Sequence, residues 1–242
     1  MTSRTGLLPH DPVAVAAAPQ HLFGSLRPPD RLNRSLWDWQ PGMYGNDTLS
    51  NCTSVALFNQ ARGVEWLQAE AALSVLPLAP ADFFAECAGD PPDLAAVHGL
   101  RALDVLSRAA VHGIPAANQR LYPQYGVVKR NRVALARAMN RLGGVYAGVT
   151  LHERELQTTQ TWSTYSDPGP VDGGHMVNLW TYEGGLGDDA AVYVGTWGYW
   201  QPVTWAWLEA RMVEAYGLVW RQLARGDGSD HDGLTAEGLV IE

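Results

Sequence analysis

Gly45-Asn46-Asp47-Thr48-Leu49-Ser50-Asn51-Cys52-Thr53-Ser54 runs directly into Val55-Ala56-Leu57-Phe58, so the chain turns from polar loop to apolar helix across one cysteine. Ser50 or Asn51 can cap that helix, which carries Val55, Ala56, Phe58, Gln60 and Ala61 and continues to Trp66 and Leu67. Apolar residues fall on nearly every face, which places the helix in the centre of the fold. Unpaired N–H groups and the macrodipole at a helix start favour the thiolate, the reactive form of cysteine. A lone cysteine is more often a small buried hydrophobe. Here the run Asn46 to Asn51 has the composition of a loop that presents amide donors, which favours the nucleophile.

A thiol nucleophile needs a base, and Asp172-Gly173-Gly174-His175 leading into the β-like run Met176 to Tyr182 offers one. Glycines let the chain approach a cleft closely, and a strand end holds an imidazole firmly. Around these two points the chain divides. Helices are expected at Ala81 to Cys87, from about Leu94 to Val111 with Gly113 as the stop, and at Arg132 to Leu142 behind an Asn131 cap. After Gly144 the runs Val145 to Leu151, Met176 to Tyr182 and Ala191 to Thr196 read as strands. Thr204 starts a late helix through Tyr216, and Leu218-Val219-Trp220 forms a last strand. A helical half before a β half predicts an α+β fold with a cleft between two lobes.

Composition narrows the function. The chain has 242 residues, 46% hydrophobic, enough for one large domain or two closely packed lobes. Net charge is −8 and Lys129 is the single lysine among 17 basic residues, so no basic stripe exists to follow a nucleic-acid backbone. Met1 to Pro9 lacks a basic segment followed by an apolar core, and no stretch reaches the roughly 20 apolar residues that span a bilayer. A soluble, cytoplasmic protein without a membrane partner is expected. Two cysteines are too few for a disulfide scaffold, and each reads as a free thiol.

Further motifs lie in collinear order. Arg27-Pro28-Pro29 leads through Trp37 and Trp39 to Cys52; Phe83-Phe84-Ala85-Glu86-Cys87-Ala88-Gly89 precedes His112-Gly113-Ile114; Leu135 to Val149 precedes Gly174-His175-Met176-Val177; and Gly195-Thr196-Trp197-Gly198 closes the series. From Pro28 to Trp220 this order resembles the papain-like cysteine peptidase superfamily. The Gly-Asn-Asp, Gly-Gly-His and Thr-Trp-Gly motifs are similar to those of a papain-like group of bacteria and their phages. The resemblance implies a helical N-terminal lobe, an antiparallel β C-terminal lobe and a substrate cleft between them. It also implies that Cys52 attacks a peptide or related acyl group, that His175 moves the proton, and that Asn46 with the Cys52 N–H stabilises the oxyanion. No cofactor or metal is called for.

The departures from the family pattern shape the expectations. Asn46 stands where the family has a glutamine, with the same amide donor on a shorter arm. Thr53 replaces a tryptophan and Leu49 a cysteine, so Cys87 has lost its customary disulfide partner and is expected to be a buried structural thiol. Gly195 aligns with the asparagine that orients the histidine, leaving Thr196 or Asp47 to take over, or a Cys–His dyad. That loss, with an expected lack of a long N-terminal propeptide, also fits a second reading. In it the chain is a weak or inactive papain-like protein, a virion or assembly component or binding module among phage structural proteins, located in the virion if phage-encoded.

The expected organisation is an extended arm over 1–35, a papain-like domain over 36–222 and an acidic flexible tail over 223–242. Trp197, Trp200, Trp205 and Trp207 read as core packing beneath the late helix. Gly184-Gly185-Leu186-Gly187 reads as a hairpin turn. Asp227, Asp230, Asp232 and Glu237 lack the order of a calcium loop, and the remaining histidines lack metal-ligand spacing.

Overall fold

The computed structural model describes residues 5–20, 27–32, 34–67, 79–117, 119–165 and 167–223. The expected acidic tail from 224 onward lies outside the described residues. In chain order the elements are α1 (Pro12–Ala17), α2 (Cys52–Leu67), α3 (Pro80–Ala88), α4 (Ala102–His112), β1 (Ile114–Ala116), β2 (Gln119–Leu121), β3 (Pro123–Val127), α5 (Arg132–Leu142), β4 (Val145–His152), α6 (Glu153–Leu156), β5 (Val171–Glu183), β6 (Ala191–Thr196), β7 (Tyr199–Thr204), α7 (Trp205–Arg211) and β8 (Met212–Trp220). Strands pair antiparallel in the order β3-β8-β4-β5-β6-β7, and β1 and β2 form a separate ribbon. This is an α+β architecture, a helical lobe set against an antiparallel sheet.

Period-two alternation gives the sheet two buried faces. Tyr146, Met176, Tyr216 and Leu218 pack on α2, α3 and α4 through Ala56, Leu57, Phe58, Phe83 and Leu106. Val145, Ala147, Val149, Val177 and Leu179 face the other way, onto Leu135 and Met139 of α5 and Trp205, Trp207 and Leu208 of α7. Each large side chain so buried contributes about 1.5–3 kcal/mol. Two side chains fasten α2 to the sheet: the Tyr146 hydroxyl donates to the Thr53 carbonyl at 3.0 Å, and Asn178 Nδ2 donates to the Ala56 carbonyl at 2.7 Å. The start of α2 is therefore fixed against β4 and β5.

Several expected elements shift for identifiable reasons. The late helix stops at Arg211, and Met212 to Tyr216 belong to β8, where pairing of β8 with both β3 and β4 outweighs local helical spacing. The helix expected from Leu94 is a short turn at Leu94–Ala96 followed by α4, because the Leu100 backbone is engaged by the N-terminal segment. Asn51 does not cap α2 with its oxygen; its Nδ2 donates to the Tyr44 carbonyl at 3.1 Å, and its Oδ1 is without a partner. The segment 1–35 contains a helix, α1, started by the Asp11 carboxylate on the Val13 and Ala14 N–H groups. β7 escaped the sequence reading because of Pro202, which an edge strand tolerates. Asn131 caps α5 as expected, accepting from Ala134 N–H at 2.9 Å, and Gly184-Gly185 turn the chain from β5 into β6.

Candidate active site

The loop before Cys52 is held by its own backbone and by α2. Thr48 and Leu49 N–H groups return to the Gly45 carbonyl at 3.0 and 2.8 Å, and Asn46 N–H reaches the Met43 carbonyl at 3.0 Å. Asn59 on α2 braces Gly42 with two bonds, accepting from its N–H at 2.7 Å and donating to its carbonyl at 3.0 Å. Cys52 is the first residue of α2 and is buried. Backbone N–H groups of Met176, Gly6, Thr53 and Cys52 itself act on its sulfur. Met176 follows His175 in β5 and packs in the same core cluster as Cys52, whereas His175 pairs with Val149, and no hydrogen bond joins the His175 ring to the Cys52 sulfur.

His175 is completely buried, and its Nε2 lies 2.7 Å from Thr196 Oγ1. The Trp197 ring stacks on the imidazole, centroids 4.3 Å apart and planes at 27°. His175 Nδ1 is buried without a partner. A proton on Nε2, donated to Thr196, leaves the Nδ1 lone pair available. Gly195 faces the other side of β6, towards Trp200 and Pro41. Strand alternation thus explains why the hydroxyl one residue later, and not the position aligned with the family's asparagine, reaches the histidine. Asn46 is buried in the same loop with its Oδ1 unpartnered.

The sequence did not disclose that the N-terminal segment occupies this cleft. Gly6 and Leu7 N–H groups donate to the Gly174 carbonyl at 3.1 and 2.9 Å, Leu100 N–H donates to the Gly6 carbonyl at 3.0 Å, and Leu8 N–H donates to the Leu100 carbonyl at 3.1 Å. Thr5 Oγ1 adds a bond to Asp172 at 3.2 Å. Leu7 is buried, antiparallel to Gly174 and parallel to Leu100. At Gly6 a Cβ would fall far inside contact distance of the Ser50 carbonyl, so only glycine passes there.

Burial governs the ionisation of both groups. It pushes the Cys52 thiol up to about 11 against the four N–H groups that favour the anion. It lowers His175 to about 3. Near neutral pH both the thiol and the imidazole are therefore uncharged. Cys87 is also a free thiol, half-buried and pushed up to about 12 by burial. Among the described residues no group of three His, Cys, Asp or Glu side chains is placed to hold a metal ion. Among them, too, no helix is long and apolar enough to cross a membrane.

Trp197 was read as core packing, and it does close the core beneath α7, but its stack on His175 is the more consequential contact. Trp205 and Trp207 are buried in that core, whereas Trp200 stacks on Trp180 and meets Trp39 edge-on.

No protein-family model and no curated protein matches the sequence. Solved structures do match. Xylellain, a cysteine protease from Xylella fastidiosa, superposes with a TM-score of 0.65 at 10% identity over 90% of this chain and 96% of its own. Procathepsin B S9 from Trypanosoma congolense gives 0.63 at 9% identity over 90% and 86%. The proform of Amb a 11, a cysteine protease and ragweed pollen allergen, gives 0.65 at 12% over 90% and 69%. At such identities the likeness is one of fold: this chain has the fold of papain-like cysteine proteases.

Proposed function

We propose that the chain is a cysteine hydrolase acting on peptides or related acyl groups, held latent by its own residues 5–8. The observation that supports the reading is the state of His175: Nε2 held by Thr196, the ring covered by Trp197, and Nδ1 buried without a partner. Once a substrate replaces the arm, Cys52 Sγ attacks the carbonyl carbon as its proton passes to His175 Nδ1. The oxyanion is stabilised by the Cys52 N–H and the Asn46 amide. His175 then returns the proton to the leaving amine, which departs and leaves a thioester. Water, deprotonated by His175, hydrolyses the thioester and restores the thiol.

Latency follows from the arm's register. It ties the Gly6 and Leu7 N–H groups to the Gly174 carbonyl next to His175 and the Gly6 carbonyl to Leu100, with Cys52 and His175 both buried. The test is labelling with a peptidyl vinyl sulfone across pH. Gly6→Ala, in which the new methyl displaces the arm from Ser50, is expected to label at Cys52 at least about tenfold faster than the parent chain near neutral pH. Additional His175→Ala should return it to the slow rate. Equal labelling of all three would refute the reading and favour a papain-like binding module.

A further inference from the structure

The turn that leads into Asn46 breaks a local rule. The Met43 carbonyl accepts from the Asn46 N–H at 3.0 Å, and the two residues between them, Tyr44 and Gly45, have φ of 44° and 79°. Positive φ at both central positions is the geometry of a type I′ turn, which suits asparagine, aspartate and glycine and does not suit an aromatic residue. Gly45 fits and Tyr44 does not. A side chain held in the left-handed region persists only where its surroundings over-determine it.

Those surroundings belong to α2 or are held by it. Arg62 Nη1 donates to the Tyr44 hydroxyl at 3.0 Å, and Asn51 Nδ2 donates to the Tyr44 carbonyl at 3.1 Å. The Tyr44 ring lies on Gly42, where a Cβ would overlap it, and Asn59 binds Gly42 through both its N–H and its carbonyl. Asn51, Asn59 and Arg62 fall on one side of α2 at helical spacing, so one helix carries Cys52 and holds the turn that carries Asn46. Asn46 is buried and its Oδ1 has no partner, so its side chain takes its position from that turn. Asparagine is one methylene shorter than glutamine, and the backbone must make up the difference.

We propose that Tyr44 is a positioning residue for Asn46: its hydroxyl, held by Arg62, keeps the chain in the strained turn that brings the short Asn46 amide to the oxyanion. Glycine or asparagine at position 44 would form the turn with less strain but would not register it on α2. The inference rests on the reading of the site as a hydrolase. Its separate content is that Tyr44 and Arg62 act on turnover through the Asn46 amide alone.

The experiment uses the full Gly6→Ala chain, with kcat and KM on a fluorogenic peptide read beside the rate at which iodoacetamide alkylates Cys52. Alkylation forms no oxyanion, so it reports the thiol and the imidazole but not the Asn46 amide. Tyr44→Phe removes the hydroxyl and keeps the ring on Gly42. It should lower kcat at least about tenfold, with KM and the alkylation rate each changed less than about twofold. Arg62→Met should do the same, and the two changes together should do no more than either alone. In an Asn46→Ala chain, itself roughly 100-fold slower, Tyr44→Phe should change kcat less than about twofold. Equal losses from Tyr44→Phe with asparagine or alanine at position 46, or a parallel fall in alkylation, would overturn the role of Tyr44 and leave the hydrolase. Absence of turnover in the Gly6→Ala chain would overturn the hydrolase reading and the role of Tyr44 with it.

Discussion

Replacing Thr196 by valine removes the hydroxyl that holds His175 while keeping the β-branched shape in strand β6. The bond lost is 2.7 Å long and wholly buried, so Nε2–H is left without an acceptor at a cost of about 1–3 kcal/mol. Part of that cost falls on stability. The rest falls on the transition state, where the imidazole must carry its proton on Nε2 and offer Nδ1 to the thiol. Trp197 still stacks on the ring, so the imidazole keeps its place and loses chiefly its tautomer preference. In the arm-displaced Gly6→Ala chain, kcat/KM on a fluorogenic peptide should fall roughly 10- to 100-fold, with KM changed less than about twofold. Thr196→Ser, which keeps the oxygen, should stay within about threefold of Thr196. Gly195→Asn should not rescue the valine variant, since position 195 faces Trp200 and Pro41. If valine is as active as threonine, or if serine and valine lose equally, the hydroxyl does not position the histidine and the reasoning fails.

Acid should weaken the closed fold through His175. Its folded value near 3 lies below the ordinary 6.5, so the unfolded chain binds the extra proton; stability is complete above about pH 6.5 and declines as pH falls towards 3. Urea midpoints measured from pH 7.5 to 4 should show this decline, and His175→Phe should flatten it; an unchanged slope would discard the assignment. Gly148→Ala should expel Leu7, because the added methyl overlaps Leu7 Cδ2 and Glu214 Cγ, and limited proteolysis should then cut the segment before Asp11 faster than in the parent. Persistent protection there would show that Leu7 does not anchor the arm. Glu155, buried on α6, accepts from Trp207 Nε1 at 2.9 Å, from Arg211 at 3.3 Å and from the His152 N–H at 2.7 Å. Glu155→Ala should cost about 3–5 kcal/mol in urea unfolding, because it strands the buried Trp207 donor and the partly buried Arg211 guanidinium. Cys52 labelling of the folded fraction should stay unchanged, and a loss under about 1 kcal/mol would refute the account.

The candidate residues stand out in the sequence because each marks a local change in the chain. Cys52 sits where a polar loop meets an apolar helix, His175 follows two glycines into a strand, and Thr196-Trp197-Gly198 closes a hairpin. Each signal is a change of composition within ten residues. β8 and the segment before α4 were misread because their conformation is set by partners distant in sequence: β3 and β4 for Met212 to Tyr216, and Gly6 for Leu100. Met212 to Tyr216 also carries helical spacing, which hid the bulge that sends Met212 to one face of β8 and Tyr216 and Leu218 to the other.

What the sequence determined alone is the helical half followed by the antiparallel β half, and the helix start that carries the Cys52 thiol; these follow from hydrophobic period, turn residues and caps, which act over a few residues. Only the tertiary structure decided that Thr196 rather than Gly195 meets His175, and that residues 6–8 bond to Gly174 and Leu100 beside the start of α2. Those outcomes depend on which face of a strand a residue takes and on which distant backbone finds an unfilled hydrogen bond. Neither quantity is written in any single stretch of chain.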